Sequence, residues 1–380
     1  MRIAYFNANM RVGQDGVTRV MYKMMNEARA RGNEVMALTS TLPQPGLTDI
    51  PMFKVPSVVL PLQKAYRIAL PGYQLFAKRL HEFRPDVLHI NSPCTLGFGA
   101  VKYAAAFNVP VVATYHTHFP TYPRYYGFTK LEGMVWRITR HLYNNVDRTF
   151  VPTMPILDEL SENGINRLSY LPNGVDRSLF HPRHRSSEWR DAAAADGKPV
   201  ILFVSRLVWE KDLEDLAKTY ALLKQRRNDF EMVVVGDGYA RKDFEPMMPG
   251  ARFLGYQTGL PLSQSFASAD IFLFPSTTET FGLVTVEAMA SGLTPVAAGY
   301  GGAVGIIEDN KSGLLSKPHD PGDMAAKIEW LLNNASERRR MRINALRRAE
   351  HFDWKTILEQ LFEEYADVLR RHHAGKRRAA

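Results

Sequence analysis

Short apolar runs and longer amphipathic segments alternate along the first half of the chain. The runs predict buried strands at residues 2–6, 35–39, 87–90, 111–115 and 148–151. Segments with helical periodicity lie between them, for example at 17–30 and 96–107. Because strands alternate with helices, the pattern predicts a parallel sheet that carries helices on both faces.

The same alternation restarts in the second half. It predicts strands at residues 200–204, 232–235, 252–254, 271–274 and 294–297. Helical periodicity follows at residues 213–225, 262–268, 284–290 and 324–333. We therefore predict an α/β protein with two doubly wound, Rossmann-like domains that face a central cleft.

A turn-rich break at residues 171–176 separates the two sets of strands, and a polar stretch without strand pattern follows at 181–198. The predicted domains are 1–173 and 174–369, with a basic tail at 370–380. The last periodic segment, 354–369, could pack on either domain. Since ligands of such folds bind outside the carboxyl ends of the strands, chemistry is expected on the loops that follow them.

Composition favours a globular protein, with 45% hydrophobic and 23% charged residues in 380. The single cysteine, Cys94, excludes an internal disulfide framework. The chain begins with a strand-like segment, and no apolar run approaches the roughly 18 residues of a membrane span. We therefore expect a cytoplasmic protein.

Charge is unevenly distributed. Residues 1–173 carry 19 Lys/Arg and 11 Asp/Glu, a net charge of +8, whereas residues 174–369 carry 24 and 28, a net charge of −4. The tail adds five positive charges: Arg370, Arg371, Lys376, Arg377 and Arg378. This asymmetry favours an anionic partner, although a simply solvated surface explains the tail equally well.

Two loops of the first half carry candidate chemistry. Gly13 and Gly16 precede the helix that follows the first strand, where backbone amides can approach a phosphate, and a plain turn is the alternative. His116 and His118 follow the strand at 111–115, where an imidazole can hydrogen-bond or protonate a substrate, or have a structural role. Their spacing does not indicate a metal site.

Two loops of the second half are more specific. Arg206 and Lys211 follow the strand at 200–204, and a guanidinium and an ammonium five residues apart can converge on a diphosphate. Glu279 and Glu287 lie eight residues apart after the strand at 271–274, with Gly282 at the start of a helix. Glu279 could meet a sugar hydroxyl and Glu287 a ribose diol; a salt-bridged structural role is the alternative for Glu287.

These residues resemble the pattern of retaining GT-B glycosyltransferases of family 4. The resemblance spans nearly the whole chain and rests on Arg206, Lys211, Gly236, Asp237, Gly238, Glu279, Phe281, Gly282, Glu287, Gly301 and Gly302. It implies that Arg206 and Lys211 bind the diphosphate of a nucleotide-sugar donor, that Glu287 binds its ribose, and that His116 and Glu279 contact the transferred sugar. The amides of Gly16, Phe281, Gly282, Leu283 and Val284 would complete the donor site, and no metal cofactor is implied.

A closer resemblance connects residues 91–93, 98–100, 115–126 and 173–183 with sulfoquinovosyldiacylglycerol synthases and related bacterial lipid glycosyltransferases. The loop at 12–17 lacks the two adjacent glycines of many members, and the stretch after Gly302 lacks their Pro-Glu pair. The first departure leaves a phosphate contact at this loop open, and the second leaves the donor sugar open. The nucleobase, UDP or GDP, is not predicted. The resemblance implies a front-face reaction in which the leaving phosphate helps to deprotonate the acceptor.

The expected function is transfer of a hexose from a nucleoside diphosphate sugar to a lipid hydroxyl at the inner face of the membrane. The predicted membrane surface is a Pro-broken helix at 62–83 that mixes aromatics with Lys64, Arg67, Lys78 and Arg79. The alternative is that its apolar members simply belong to the core. A soluble or polysaccharide acceptor, a nucleotide-sugar epimerase and a catalytically silent binding protein are the alternatives. No nucleic-acid module is present in the sequence, and the oligomeric state is not predicted.

Overall fold

The computed structural model describes the backbone of residues 1–10, 16–44, 46–60, 63–91, 93–125, 127–194 and 196–379, and their side chains except at 60, 63–66 and 375–379. The described chain forms two compact units. The first contains Met1–Arg124, Phe128–Leu171 and Lys355–Ala380, and the second contains Tyr125–Gly127 and Pro172–Trp354.

The first unit is built on a parallel sheet in the order β3-β2-β1-β6-β7-β8-β9, with a separate antiparallel hairpin of β4 and β5. Its strands are β1 (Arg2–Asn9), β2 (Glu34–Thr41), β3 (Met52–Lys54), β4 (Ser57–Leu60), β5 (Gln63–Ala69), β6 (Val87–Ile90), β7 (Val111–Thr114), β8 (Arg148–Val151) and β9 (Leu168–Tyr170). The strand order reverses between β1 and β6, which makes the loops after them the natural binding position.

Helices of the first half of the chain connect these strands. They are α1 (Gly16–Ala30), α2 (Gln74–Phe83), α3 (Thr95–Phe107), α4 (Tyr122–Tyr125), α5 (Glu132–Tyr143) and α6 (Met154–Glu162). The apolar face of α1 buries Val20, Met21, Met24 and Met25, as the amphipathic pattern predicts.

The second unit has a parallel sheet in the order β12-β11-β10-β13-β14-β15. Its strands are β10 (Val200–Val204), β11 (Glu231–Val235), β12 (Arg252–Phe253), β13 (Ile271–Phe274), β14 (Thr294–Ala298) and β15 (Leu314–Ser316). Its helices are α7 (Ser187–Ala193), α8 (Leu213–Arg226), α9 (Arg241–Phe244), α10 (Gly259–Ser268), α11 (Leu283–Ala290), α12 (Gly302–Ile306), α13 (Pro321–Asn333) and α14 (Ala335–Ala349). The order reverses between β10 and β13, the two strands that precede the Arg206 and Glu279 loops.

The final helix, α15 (Trp354–Ala379), packs in the first unit from Lys355 onward. Tyr365 lies fully buried there, with its hydroxyl 2.5 Å from Nδ1 of His89 and 3.3 Å from the hydroxyl of Tyr5. Arg148 on β8 binds the carboxylates of Glu364 and Asp367. The helix continues through the predicted basic tail, so that Arg370 and Arg371 are helical; the side chains of Lys376, Arg377 and Arg378 lie outside the described set.

The predicted fold class is confirmed: both units have parallel sheets with helical connections. The prediction of a broken helix at 62–83 is wrong in its first part. Residues Gln63–Ala69 form β5, which pairs with β4 so that Val58 stands opposite Ile68, and the helix begins only at Gln74. The strand propensity of Val58, Val59 and Ile68 outweighs the weak helical spacing.

The polar stretch at 181–198 contains a short helix, α7, which Ser186 caps by accepting a hydrogen bond from the amide of Trp189 at 3.1 Å. Within the residues that the structure describes, no helix has both the length and the apolar character that crossing a membrane requires.

Candidate active site

The loops after β10 and β13 meet in the second unit, at Lys211 and Glu279. Nζ of Lys211 donates to Oε1 of Glu279 at 2.5 Å and to Oγ1 of Thr278 at 3.3 Å. Only 8% of Lys211 is exposed, so this ammonium is held in a largely desolvated position. A cation kept there by a carboxylate can interact with a phosphate more strongly than it would in water.

Asp212, which the sequence analysis did not select, fastens the two loops together. Its Oδ2 accepts from the amide and the hydroxyl of Thr277, at 2.7 and 2.8 Å. The hydroxyl of Tyr125 lies 3.2 Å from Oδ1 of Asp212 and 2.9 Å from Oγ1 of Thr277. Since Asp212 follows Lys211 and Thr277 precedes the Thr278–Glu279 pair, these bonds align the ammonium with the carboxylate. We call Tyr125, Asp212 and Thr277 the loop lock.

The loop lock has two unusual physical features. Asp212 adopts a left-handed backbone conformation with φ of 54°, which Asp and Asn tolerate better than most residues. Burial raises the pKa of its carboxyl above the ordinary value, although the hydrogen bonds from Thr277 act in the opposite direction. Neither feature leaves a periodic signal in the sequence.

Glycines let these loops pack closely. A Cβ at Gly236 would lie 1.8 Å from the carbonyl oxygen of Ser205, and one at Gly238 would lie 2.2 Å from that of Leu207. A Cβ at Gly302 would lie 2.2 Å from the carbonyl oxygen of Phe281. These contacts are incompatible with any side chain, so the glycines of the sequence motif serve the close approach of the loops after β10, β11, β13 and β14.

Helix α11 begins beside Glu279. Its N-cap, Gly282, has φ of 94°, and no side chain caps the helix. A Cβ on Gly282 would lie 3.9 Å from Cβ of Glu279, so the start of the helix and the Lys211–Glu279 pair are neighbours. The first amides of a helix lack intrahelical partners and attract anions. Leu283 and Val284 provide such amides here.

The remaining predicted donor residues occupy distinct environments in the second unit. Glu287 is almost completely buried within α11, and Phe281 is buried with its ring 5.5 Å from that of Phe352. The side chain of Arg206 is partly buried at the carboxyl end of β10. In the first unit, Gly16 is the first residue of α1, whereas Gly13 lies outside the described residues.

His116 follows β7 and is oriented by Asn91, which follows β6. Nε2 of His116 lies 3.0 Å from Oδ1 of Asn91, whose amide nitrogen lies 3.5 Å from the carbonyl oxygen of His89. This arrangement identifies the Asn91 oxygen as the acceptor and places the proton of His116 on Nε2. Burial lowers the pKa of His116 to about 3, so the ring is neutral at physiological pH. The role of His116 towards a substrate, as a hydrogen-bonding group or as an acid, stays a prediction.

His118 makes contacts within the first unit. It is 1% exposed, its Nδ1 lies 2.9 Å from the hydroxyl of Tyr115, and its Nε2 lies 3.1 Å from Oε1 of Glu159. Its ring also packs edge-on against Trp136 at 5.6 Å. These contacts favour the structural reading of this residue.

One group in the described part of the chain has the donor atoms of a cation site. The ligand atoms of Asp212, Asp215 and His319 lie within 4.8 Å of one another. Each is already engaged: Nδ1 of His319 lies 2.9 Å from Asp215, and Asp212 belongs to the loop lock. This trio leaves no local signal in the sequence because His319 is more than a hundred residues from the two aspartates.

Family models match both halves of the chain. Residues 14–179 match the model described as Glycosyltransferase Family 4, and residues 185–348 match the one described as Glycosyl transferases group 1.

Similar proteins of known name cover most of the chain. A GDP-mannose-dependent alpha-mannosyltransferase of Mycolicibacterium smegmatis is 32% identical over 98% of both chains. Sulfoquinovosyl transferase SQD2 of Arabidopsis thaliana is 38% identical over 74% of this chain and 56% of its own length. An alpha-monoglucosyldiacylglycerol synthase of Streptococcus pneumoniae is 24% identical over 83% of this chain and 75% of its own length.

Solved structures share the fold. A sucrose-phosphate synthase from Thermosynechococcus elongatus superposes with a TM-score of 0.80 at 19% identity, covering 97% of this chain and 99% of its own. The Anabaena protein HepE, solved with UDP-glucose, gives a TM-score of 0.78 at 20% identity and covers 97% and 100%.

Proposed function

Because the chain belongs to the family 4, group 1 glycosyltransferases, which use nucleotide sugars, we propose that it transfers a hexose to the hydroxyl of a lipid acceptor. The transfer would retain the configuration at the anomeric carbon. The observation that carries the proposal is the neighbourhood of Lys211, Glu279 and the uncapped start of α11. It combines a desolvated cation, a carboxylate and helix amides, which suit a diphosphate linked to a sugar.

In the proposed reaction the bond between the anomeric carbon and the diphosphate oxygen breaks, and its electron pair stays on that oxygen. Lys211 and the amides of Leu283 and Val284 stabilise the developing negative charge, with Arg206 as a further cation. The acceptor hydroxyl attacks from the same face of the sugar. Its proton passes to the leaving diphosphate, and the products are the glycosylated acceptor and the nucleoside diphosphate.

The other proposed roles concern orientation. Glu279, held by Lys211, would accept a hydrogen bond from a hydroxyl of the transferred sugar, and Glu287 would accept one from the ribose diol. His116, neutral and oriented by Asn91, would contact the sugar through a hydrogen bond. The loop lock would position Lys211 and Glu279 without touching the donor, and no metal ion is assigned to any step.

The lipid acceptor is supported by the name of the streptococcal relative, a synthase of glucosyldiacylglycerol. GDP-mannose is the first donor to test, because the mycobacterial relative aligns over nearly the full length of both chains. The positive charge of residues 1–173 is consistent with work at an anionic membrane.

The structure describes only part of the membrane surface predicted from residues 62–83. The side chain of Lys64 lies outside the described set. Arg67 donates to Oγ and the carbonyl oxygen of Ser57, at 2.9 and 2.6 Å. Arg79 lies over the ring of Phe53 and 3.3 Å from Glu82. Lys78 is exposed, and this surface stays a prediction.

The test incubates the purified protein with labelled GDP-mannose, UDP-glucose and other nucleotide sugars, with and without diacylglycerol or a membrane lipid extract. We expect a labelled glycolipid whose formation requires lipid. A product on a soluble sugar or polysaccharide would favour the alternative acceptor, and conversion of the nucleotide sugar without any acceptor would favour an epimerase.

Two variants then test the donor residues. Glu287→Gln should raise the donor KM, because an amide replaces the charged acceptor of the ribose hydrogen bonds, and Glu279→Ala should mainly lower kcat. Glu337→Gln, at a partly exposed glutamate of α14 that pairs with Arg340, is the matched control and should change neither. Unfolding of Glu287→Gln without any effect on KM would support the structural alternative.

A further inference from the structure

A stripe of exposed apolar side chains runs along α5 and the turn before it. Phe128 is 54% exposed, Leu131 43%, Met134 48% and Ile138 45%. Steps of three, three and four residues place these side chains on one face. Thr139, Leu142 and Tyr143 of the same helix are buried against the first unit, and the stripe lies exposed beside that buried face.

Basic residues border this stripe. Three cations are exposed here: Lys130, Arg137 and Arg140. Lys130 and Arg137 lie four and three residues from Met134, and Arg140 lies three residues from Arg137. Glu132 is the only Asp or Glu between residues 111 and 146. Its two carboxylate oxygens accept from Arg124 at 2.8 and 2.6 Å, which neutralises its charge. The surface is therefore apolar and bordered by positive charge.

We propose that this α5 surface, formed by Phe128, Lys130, Leu131, Met134, Arg137, Ile138 and Arg140, docks the enzyme on an anionic lipid bilayer. The inference rests on the proposed function, because the lipid acceptor resides in such a bilayer. Apolar side chains enter the boundary between headgroups and acyl chains, while the adjoining cations bind lipid phosphates. Both parts are needed for reversible docking without a membrane-spanning segment.

Charge decides against a second copy of the chain as the occupant. A two-fold dimer would place the same patch against itself, and the cations of one copy would then face those of the other without acidic partners. An anionic bilayer supplies the complementary charge along the whole stripe. Exposed aliphatic and aromatic side chains also fit lipid better than a nucleic-acid backbone, which is bound chiefly through cations.

The experiment compares three variants by co-sedimentation with vesicles of phosphatidylcholine, alone or mixed with phosphatidylglycerol. The apolar variant is Leu131→Ser with Met134→Ser and Ile138→Ser, and the charge variant is Lys130→Ser with Arg137→Ser. The control, Leu260→Ser with Ile343→Ser, removes exposed apolar side chains from the second unit. All substituted side chains are exposed, and thermal melting checks that each variant folds.

Wild type should bind the anionic vesicles more tightly than the neutral ones, and added salt should weaken that binding. The apolar and charge variants should each lose at least about tenfold in affinity, and the charge variant should also lose most of the salt dependence. The control should bind as wild type does. Equal binding of the α5 variants and wild type would overturn the proposal, as would a change of the apolar variant from dimer to monomer in light scattering.

Activity assays separate this proposal from the proposed function. Both α5 variants should lose transfer to an acceptor embedded in vesicles and keep transfer to a short-chain acceptor in solution. If wild type binds anionic vesicles through α5 but glycosylates no lipid, the acceptor assignment fails and the docking surface stands. If lipid is glycosylated and the variants bind normally, the surface fails and the acceptor assignment stands.

Discussion

The two units use the carboxyl ends of their parallel strands differently. In the second unit, polar side chains from separate loops are tied to one another: Lys211 to Glu279, and Asp212 to Thr277. In the first unit, the corresponding residues are tied to their own scaffold: His116 to Asn91, and His118 to Tyr115. The first arrangement forms a rigid, charged site, whereas the second presents a neutral ring beside the strands.

This difference fits two unlike ligands. A nucleotide diphosphate carries concentrated negative charge and a defined geometry, which prealigned cations and helix amides can match. A lipid is recognised chiefly by burial of apolar surface, which needs exposed side chains rather than a fixed polar cluster. Under the proposed function, the second unit would therefore hold the donor chemistry in buried loops, and the first would display its proposed surface on α5.

The largest expected effect comes from the ammonium in the second unit. Lys211→Gln should lower kcat/KM by roughly 10²–10³-fold, because a desolvated contact to the developing charge is lost. Glutamine can still donate to Glu279, so the fold should persist. Arg206→Ala should also be severe if that guanidinium reaches the diphosphate.

Steady-state kinetics with a labelled donor provides the measurement for both variants, and Lys242→Ala, an exposed lysine of α9, is the control. Unchanged turnover of the Lys211 and Arg206 variants would show that the donor does not bind in this part of the second unit. It would also contradict the proposed difference between the two units.

The loop lock should give the next largest effect. Asp212→Ala removes the acceptor of the Thr277 bonds and places alanine at a left-handed backbone position, so kcat should fall about tenfold through misalignment of Lys211 and Glu279. Asp212→Asn tolerates the backbone and keeps one acceptor oxygen, and it should restore most of the activity.

Donor KM and kcat distinguish positioning from general destabilisation. A positioning role predicts that the kcat of Asp212→Ala stays low at saturating donor, at temperatures where the variant is fully folded, and that Asp212→Asn rescues it. Asp215→Asn, next to the lock but bonded to His319, is the control. Loss of activity that merely follows the melting temperature would indicate a structural role alone.

A smaller expected effect is a loss of folding stability in acid that originates from two histidines of the first unit. Burial lowers the pKa of both His89 and His116 to about 3, from an ordinary value of 6.5. Below pH 6.5 the unfolded chain binds protons at these sites while the folded chain does not. Their contribution to stability is therefore present above pH 6.5 and is lost as the pH falls towards 3.

Urea midpoints measured between about pH 7 and pH 4 test this prediction. His89→Asn should unfold at lower urea than wild type at neutral pH, because bonds to Tyr365 and Thr114 are lost. Its midpoint should nevertheless fall less steeply with acid. Parallel pH profiles of the two proteins would show that His89 titrates normally in the folded chain.

Much of the fold was predictable because buried parallel strands have a strong signal. The strands β10 and β13 are short apolar runs that are buried along their whole length. The strands β3, β9 and β15 were not predicted. Strands β3 and β9 lie at the edges of the first sheet and are only partly buried, so they lack a continuous apolar run. Helix α14 was missed because it is rich in arginine and buries only Met341, Ala345 and Ala349, one residue per turn.

The candidate site was predictable only in part, because some of its residues have local sequence signals and others meet only through the fold. Glycine pairs and widely spaced charges mark loops in sequence, and this identified Lys211, Glu279 and Gly282. Asp212 meets Thr277 across 65 positions and at a positive φ, and neither property follows from local sequence. Helix α5 was not among the predicted helices, although its sequence has a clear amphipathic pattern.

The last prediction is that removal of metal ions has no effect on turnover. Asp212, Asp215 and His319 could offer ligands to a cation, but binding would compete with the hydrogen bonds that hold Thr277 and with the contact between Asp215 and His319. In the proposed reaction, Lys211 and the α11 amides supply the charge stabilisation that a divalent cation would otherwise provide. We therefore expect equal kcat and donor KM before and after dialysis against EDTA, with no gain from added magnesium, manganese or zinc. The contrary result would be that EDTA abolishes the activity of the wild type and one added metal restores it. The same metal would then fail to restore the activity of the His319→Ala variant. That result would identify the trio as a cation site, and the second unit would then depend on a metal as well as on its own cations.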